Sequence, residues 1–175
     1  SHRAADPPAE QRLRRPGRIM ARPPRLSGFD YRGPHRYFLT FCTYGRREHF
    51  RSSDAAAMVT RHFRRTARRE GFAILAYCLM PDHAHLLVEG TTPQSDLRNF
   101  VKGTKQSSGQ VYSRLHDDRL WDEGYHDRVL RKDTDVREIA RYIIWNPVRA
   151  GLAATPAQYP YLGSDVLSIE ELGRI

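Results

Sequence analysis

Two apolar runs separated by only two residues constrain this chain more than any other feature. Phe72-Ala-Ile-Leu-Ala-Tyr-Cys-Leu-Met80 and His83-Ala-His-Leu-Leu-Val-Glu89 each read as a strand. Pro81-Asp82 between them is turn chemistry, so the pair predicts a β-hairpin closed by Gly90. A further strand is predicted over Tyr37-Phe-Leu-Thr-Phe-Cys-Thr43, which is β-branched and aromatic. Between these strands, Ser52-Ser53-Asp54 offers N-caps to a helix over Ala55–Glu70, and Gly71 follows as its C′ residue. Ser95 or Asp96 caps a second helix running to about Leu115. Its apolar side holds Leu97, Phe100, Val101, Val111 and Tyr112. Leu120-Trp121 and Val129-Leu130 are predicted as short edge strands around Gly124-Tyr125-His126-Asp127. Asp135-Val-Arg-Glu138 has capping-box spacing, and Val136, Ile139, Ala140 and Ile143 give the last helix an inward stripe up to Pro147. The order β-α-β-β-α-(β)-α predicts an α+β fold, an antiparallel sheet with helices packed on it. At 175 residues the chain is long enough for one buried core, placed over residues 27–175.

Charge sets the partner class. Lys+Arg 29 against Asp+Glu 20 leaves a net +9, which makes a polyanion the leading partner. Residues 1–26 hold seven arginines against two acids, with five prolines and almost nothing to bury, and are expected to be a disordered or extended basic arm. That arm either contacts nucleic acid or is a solvated tail. The first helix carries Arg61, Arg64, Arg65 and Arg68 with few interleaved acids, which tilts it toward a phosphate-facing surface. No apolar run approaches the ~20 residues that span a bilayer, and no leader pattern opens the chain. Cys42 and Cys78 are too few for a disulfide scaffold. A cytoplasmic setting without a membrane is expected.

The chemistry-bearing residues sit on the hairpin and the last helix. On a strand, His83 and His85 point to the same face, and two adjacent imidazoles suit one divalent cation whose further ligands come from elsewhere. By spacing alone, such a pair among eight histidines is a weak signal and more often chance. Tyr142 and Asn146, at i and i+4, share a helix face that is expected to lie away from the Val136/Ile139/Ile143 stripe. They offer a hydroxyl nucleophile and a neutral oxygen ligand in one rigid frame. The alternative is that Tyr142 packs on the core and Asn146 ends the helix.

Tyr77-Cys-Leu-Met-Pro-Asp-His-Ala-His-Leu-Leu-Val88 resembles the HUH motif of single-tyrosine transposases, two histidines flanking one hydrophobic residue. Tyr142-Ile-Ile-Trp-Asn-Pro-Val-Arg-Ala-Gly-Leu152 resembles the tyrosine helix of the REP-associated tyrosine transposases, relatives of the insertion sequence 200-like enzymes. Trp121–Arg131 and Tyr159-Pro160-Tyr161 are similar to the connecting and C-terminal segments of the same family. The basic arm lies outside the pattern, and Trp145 is bulkier than the family leads one to expect.

The resemblance implies a ferredoxin-like sheet with the histidine pair on a central strand. His83 and His85, with Asn146 as third ligand, would hold Mg²⁺ or Mn²⁺ against a scissile phosphate. Tyr142 would be the nucleophile, with Tyr125 as the runner-up. The product would be a 5′-phosphotyrosine bond and a free 3′-hydroxyl, and a second 3′-hydroxyl would reverse the step and join strands. The implied substrate is single-stranded, hairpin-containing DNA, with phosphate contacts from Arg98, Lys102 and Lys105 as well as from the arginine helix. Related enzymes occur as homodimers that share sites and as monomers. Two other readings compete: a non-catalytic DNA-binding regulator of hairpin elements with the same fold, and a metal-dependent phosphodiesterase or RNA-binding module, which fits the charge but not the Tyr142 motif.

Overall fold

A computed structural model describes residues 28–168, 170 and 171; the basic arm predicted over residues 1–26 lies outside them. Five strands form one antiparallel sheet: β1 (Arg36–Cys42), β2 (Phe72–Met80), β3 (His83–Gly90), β4 (His126–Leu130) and β5 (Leu162–Gly163), in the order β4-β1-β3-β2-β5. The helices are α1 (Ser53–Glu70), α2 (Leu97–His116) and α3 (Asp133–Arg149). Because β3 lies between β1 and β2, the β1-α1-β2 connection must cross over one strand, as must β3-α2-β4 over β1. This is the split βαβ arrangement of ferredoxin-like folds, so the α+β expectation holds. No helix among the described residues is long and apolar enough to cross a membrane.

Both faces of the sheet are covered, which is why β2 is apolar almost without a break. Tyr37, Leu39 and Phe41 of β1, Ile74 and Leu79 of β2, and Ala84, Leu86 and Val88 of β3 meet α1 and α2 in one core. Phe38, Ala76, Cys78, Met80 and Leu87 meet Ile139, Ala140, Ile143 and Ile144 of α3 in the other. A bulge between Ile74 and Ala76 shifts the alternation by one residue. Phe72 and Ile74 before it and Tyr77 and Leu79 after it therefore face the α1/α2 core, while Leu75 and Ala76 both face the other.

The local signals predicted most element ends. Ser52 caps α1, with its side chain accepting from the Ala55 amide, and Gly71 ends that helix in the left-handed region at φ 69°. Asp96 caps α2 by accepting from the Arg98 and Asn99 amides. The capping box expected at Asp135–Glu138 does not form. Helix α3 starts at Asp133, because Arg36 pairs with both Asp133 and Glu89 and so ties its first turn to the sheet. Pro147 does not stop the helix; lying in the last turn, it removes only one ladder bond, and α3 continues to Arg149. Leu120-Trp121 makes only an isolated bridge to Thr43, because Trp121 turns inward onto Phe41, Phe50 and Phe63 and donates its indole N–H to Ser108 Oγ. The edge strand expected at Val129-Leu130 is longer, with His126 and Asp127 also paired to β1.

Gly90 ends β3 in a tight place. A Cβ there would fall on the Gly33 carbonyl oxygen and press on Ser95. Gly90→Ala is therefore expected to cost at least ~2 kcal/mol of stability, since backbone cannot yield as a side chain would. Urea unfolding checks this, and an unchanged midpoint would refute the contact.

Candidate functional site

The pleat of β3 puts His83 and His85 on the α3 side of the sheet, and neighbouring oxygens orient both rings. His83 Nδ1 lies 2.6 Å from Asp82 Oδ1, and His85 Nδ1 lies 2.9 Å from Thr40 Oγ1 on the paired strand. With those nitrogens occupied, the two Nε2 atoms converge to 3.1 Å. The turn that carries Asp82 is itself pinned. Thr43 donates both its amide and its hydroxyl to the Asp82 carbonyl, and Phe50 N–H donates to that of Pro81. Arg46 Nε binds the second Asp82 oxygen at 2.9 Å. Burial pushes the Asp82 carboxyl up, but the His83 hydrogen bond and the charges of His83 and Arg46 hold it below the usual carboxylate range. Burial, reinforced by His83, Arg46 and Arg149, holds His85 well below its ordinary value and therefore neutral.

This donor set fits a divalent cation. Where each Nδ1–H donates to its oxygen, two lone pairs face each other across 3.1 Å, a repulsive arrangement that a cation relieves. An octahedral ion with ligands at about 2.1 Å keeps adjacent donors about 3.0 Å apart, close to this separation. Among the described residues no three His, Cys, Asp or Glu side chains are grouped so that they could hold one metal ion together. Any further ligands must therefore be neutral oxygens of the protein or atoms of a bound partner.

Tyr142 reaches the same place from α3. Its ring packs edge-on against His85 at 5.6 Å and Phe38 at 6.0 Å, and the Asn146 side chain hydrogen-bonds the phenol. The expectation that this helix face lies away from the Val136/Ile139/Ile143 stripe is corrected. Tyr142 packs on the edge of the same cluster, because α3 lies close enough to the sheet for a ring beside the stripe to touch Phe38. Burial raises the phenol's pKa, against the opposing effects of Arg149 and the Asn146 hydrogen bond. Tyr125 is elsewhere: its ring packs on Phe41, in the core on the other side of the sheet.

The basic residues are also behind the sheet, on α1 and α2. Arg61, Arg65 and Arg68 are exposed there, whereas Arg64 is held by Asp165 at 2.7 Å and lies over the Tyr77 ring. Arg98 and Lys102 border an open groove of about 930 Å³ with Arg119, Trp121 and Tyr125. Lys105 reaches its wall and donates to the carbonyls of Asp122, Glu123 and Gly124. The structure thus joins His83, His85, Tyr142 and Asn146, and leaves the cations on the opposite face. Sequence reasoning missed Thr40, Asp82, Arg46 and Arg149. Asp82 was visible only as a turn residue, and Arg149 as a residue seven positions after Tyr142.

The family described as IS200-like transposase matches residues 34–146, more than half of the chain. A protein of Haemophilus influenzae provisionally named a REP-associated tyrosine transposase is 24% identical over 113 residues, covering 57% of this chain. The chain spans 62% of that relative's length. A solved structure of a REP-associated tyrosine transposase bound to a REP hairpin superposes with a TM-score of 0.65 at 19% identity, covering 78% of this chain and 82% of its own.

If Asp82 orients His83, Asp82→Ala should weaken Mn²⁺ binding ~10–100-fold, because the ring then turns freely. Calorimetric titration of the protein with Mn²⁺ measures this directly; unchanged affinity would show that the carboxylate is not needed.

Proposed function

This chain belongs to the IS200-like transposase family, and we propose that it cleaves and rejoins single-stranded, hairpin-bearing DNA through a covalent bond to Tyr142. The observation that carries this reading is the meeting of two Nε2 donors 3.1 Å apart with a tyrosine ring against one of them. Mg²⁺ or Mn²⁺ held by His83 and His85, with Asn146 as the neutral oxygen ligand, would supply Lewis acidity at the scissile phosphate. The protein's own groups do the rest. Tyr142 Oη bonds to phosphorus as the P–O3′ bond breaks; the phenol gives up a proton and the departing 3′ oxygen gains one. The charge on the diester is unchanged, and a 3′-hydroxyl can reverse the step. Asn146 orients the phenol, and the packing of its ring on Phe38 and His85 limits the search for an in-line approach.

Position supports Tyr142 over Tyr125, since only Tyr142 shares the histidine face. The cations of α1 and α2 are proposed to hold flanking DNA as phosphate contacts that position rather than specify. Residues 1–26 are proposed as a further basic contact.

Incubating the protein with labelled hairpin DNA and Mn²⁺, followed by a denaturing gel, tests the reading. A covalent adduct is expected from the wild type and from Tyr125→Phe, and none from Tyr142→Phe, which keeps the ring and removes only the oxygen. His83→Ala and His85→Ala are expected to slow cleavage at least ~100-fold while leaving DNA affinity within ~3-fold. Binding without any adduct would favour the non-catalytic regulator. For the arm, log affinity should fall with log salt by ~0.7 per phosphate contact, and removing residues 1–26 should reduce that slope; an unchanged slope would exclude the arm from binding.

A further inference from the structure

The last turn of α3 holds a cation that the reading above does not use. Tyr142, Asn146 and Arg149 follow at i, i+4 and i+7, which places all three within about 60° of one another around the helix axis. The Arg149 guanidinium carbon stands 4.7 Å from the centre of the Tyr142 ring. One of its nitrogens donates to the Tyr142 carbonyl oxygen, which holds the group over the ring while the residue stays open to solvent. Its charge also acts on His85, so the guanidinium shares the site with the imidazoles.

Unlike Arg46, the other arginine whose charge acts on His85, Arg149 lacks an anion. Arg46 is paired with Asp82, and Arg36 with Glu89 and Asp133, whereas no ion pair joins Arg149 to a carboxylate among the described residues. A cation near a helix C-terminus is stabilised by the dipole, and one over an aromatic face by the ring's negative face. Those effects account for a stable position, but not for leaving the rest of the planar donor fork, beyond its one bond to the Tyr142 carbonyl, without an anion beside a candidate nucleophile.

We propose that Arg149 is a catalytic residue that donates to a non-bridging oxygen of the scissile phosphate as Tyr142 attacks it. The proposal rests on the strand-cleavage reading above and adds a group to it. As the Tyr142 oxygen bonds to phosphorus and the P–O3′ bond lengthens, negative charge builds on the non-bridging oxygens. A guanidinium offers them two parallel N–H donors and a fixed positive charge in a partly desolvated site. Arg149 neither gains nor loses a proton in this role, so the balance of the step is unaltered.

A substrate whose charge can be removed tests the contact. Single-turnover cleavage of hairpin DNA is measured with an ordinary phosphate, and with a neutral methylphosphonate, at the scissile linkage. On the phosphate, Arg149→Ala is expected to be ~100–1000-fold slower than wild type, the usual loss for one donor at a developing charge. Arg149→Lys should recover part of that loss by keeping the charge without the fork. DNA affinity should change less than ~3-fold, since one phosphate contact among many is removed. On the methylphosphonate, the gap between Arg149→Ala and wild type should shrink to within ~10-fold, because there is no anionic oxygen left to stabilise. Equal losses on both substrates would mean that Arg149 only holds Tyr142 in place, and a rate within ~3-fold of wild type on the phosphate would reduce it to a helix-terminal cation; either overturns the proposal. Should Arg149→Ala fail to fold in a thermal melt, Arg149→Lys and Arg149→Gln carry the same comparison. A wild type that forms no adduct at all would instead bring down the strand-cleavage reading, and this proposal with it.

Discussion

The pleat of β3 sends Ala84, Leu86 and Val88 into the core beneath α1 and α2, and His83, His85 and Leu87 toward α3. The remaining elements are arranged around that alternation. A slip of one residue in its pairing with β1 would exchange the two sets, burying both imidazoles among Phe63, Phe100 and Trp121. Register is therefore fixed by the large difference in cost between the two faces, and the hairpin turn reinforces it. Thr43 and Phe50 hold the carbonyls of Pro81 and Asp82, so the start of β3 is anchored to the segment that follows β1 as well as to β2.

That anchoring explains how a polar cluster survives inside a covered sheet. An unsatisfied buried polar group costs roughly 1–3 kcal/mol, and each Nδ1 here has an oxygen partner. The Nε2 atoms are different: among the described residues each has the other as its partner, at 3.1 Å. Stability alone would favour replacing one ring with a hydrocarbon. Retaining both makes sense where a cation occupies the gap, and the low proton affinity of His85 favours the neutral ring that such a cation requires.

Elements were legible in the sequence where the deciding residues are neighbours along the chain. Ser52, Gly71 and Asp96 act on backbone groups within four residues and mark the helix ends as expected. The shared orientation of His83 and His85 followed from strand geometry alone. Features that depend on distant residues were not legible. Arg36 moved the start of α3 to Asp133 from across the sheet, and the inward turn of Trp121 replaced an expected strand with a core anchor. Thr40 orients His85 because the two are paired 45 residues apart, a register no local pattern reports. The side of the sheet was equally hidden. Each crossover connection placed its helix behind the sheet, so the cations of α1 and α2 ended on the face opposite the histidines.

The two margins of the sheet bear on how copies of this chain can meet. β5 is only Leu162–Gly163, too short a row of amides and carbonyls to recruit another strand. β4, at the other margin, carries Asp127 and Arg128 in the middle of its five residues, and a second copy laid alongside would bring those charges into contact with its own. Among the described residues neither margin offers a long, uncharged row of backbone groups, so lateral growth of the sheet is disfavoured. Contacts through helices and loops are then the less costly route to self-association, and the same charges that make β4 a poor hydrophobic strand disfavour strand-to-strand stacking.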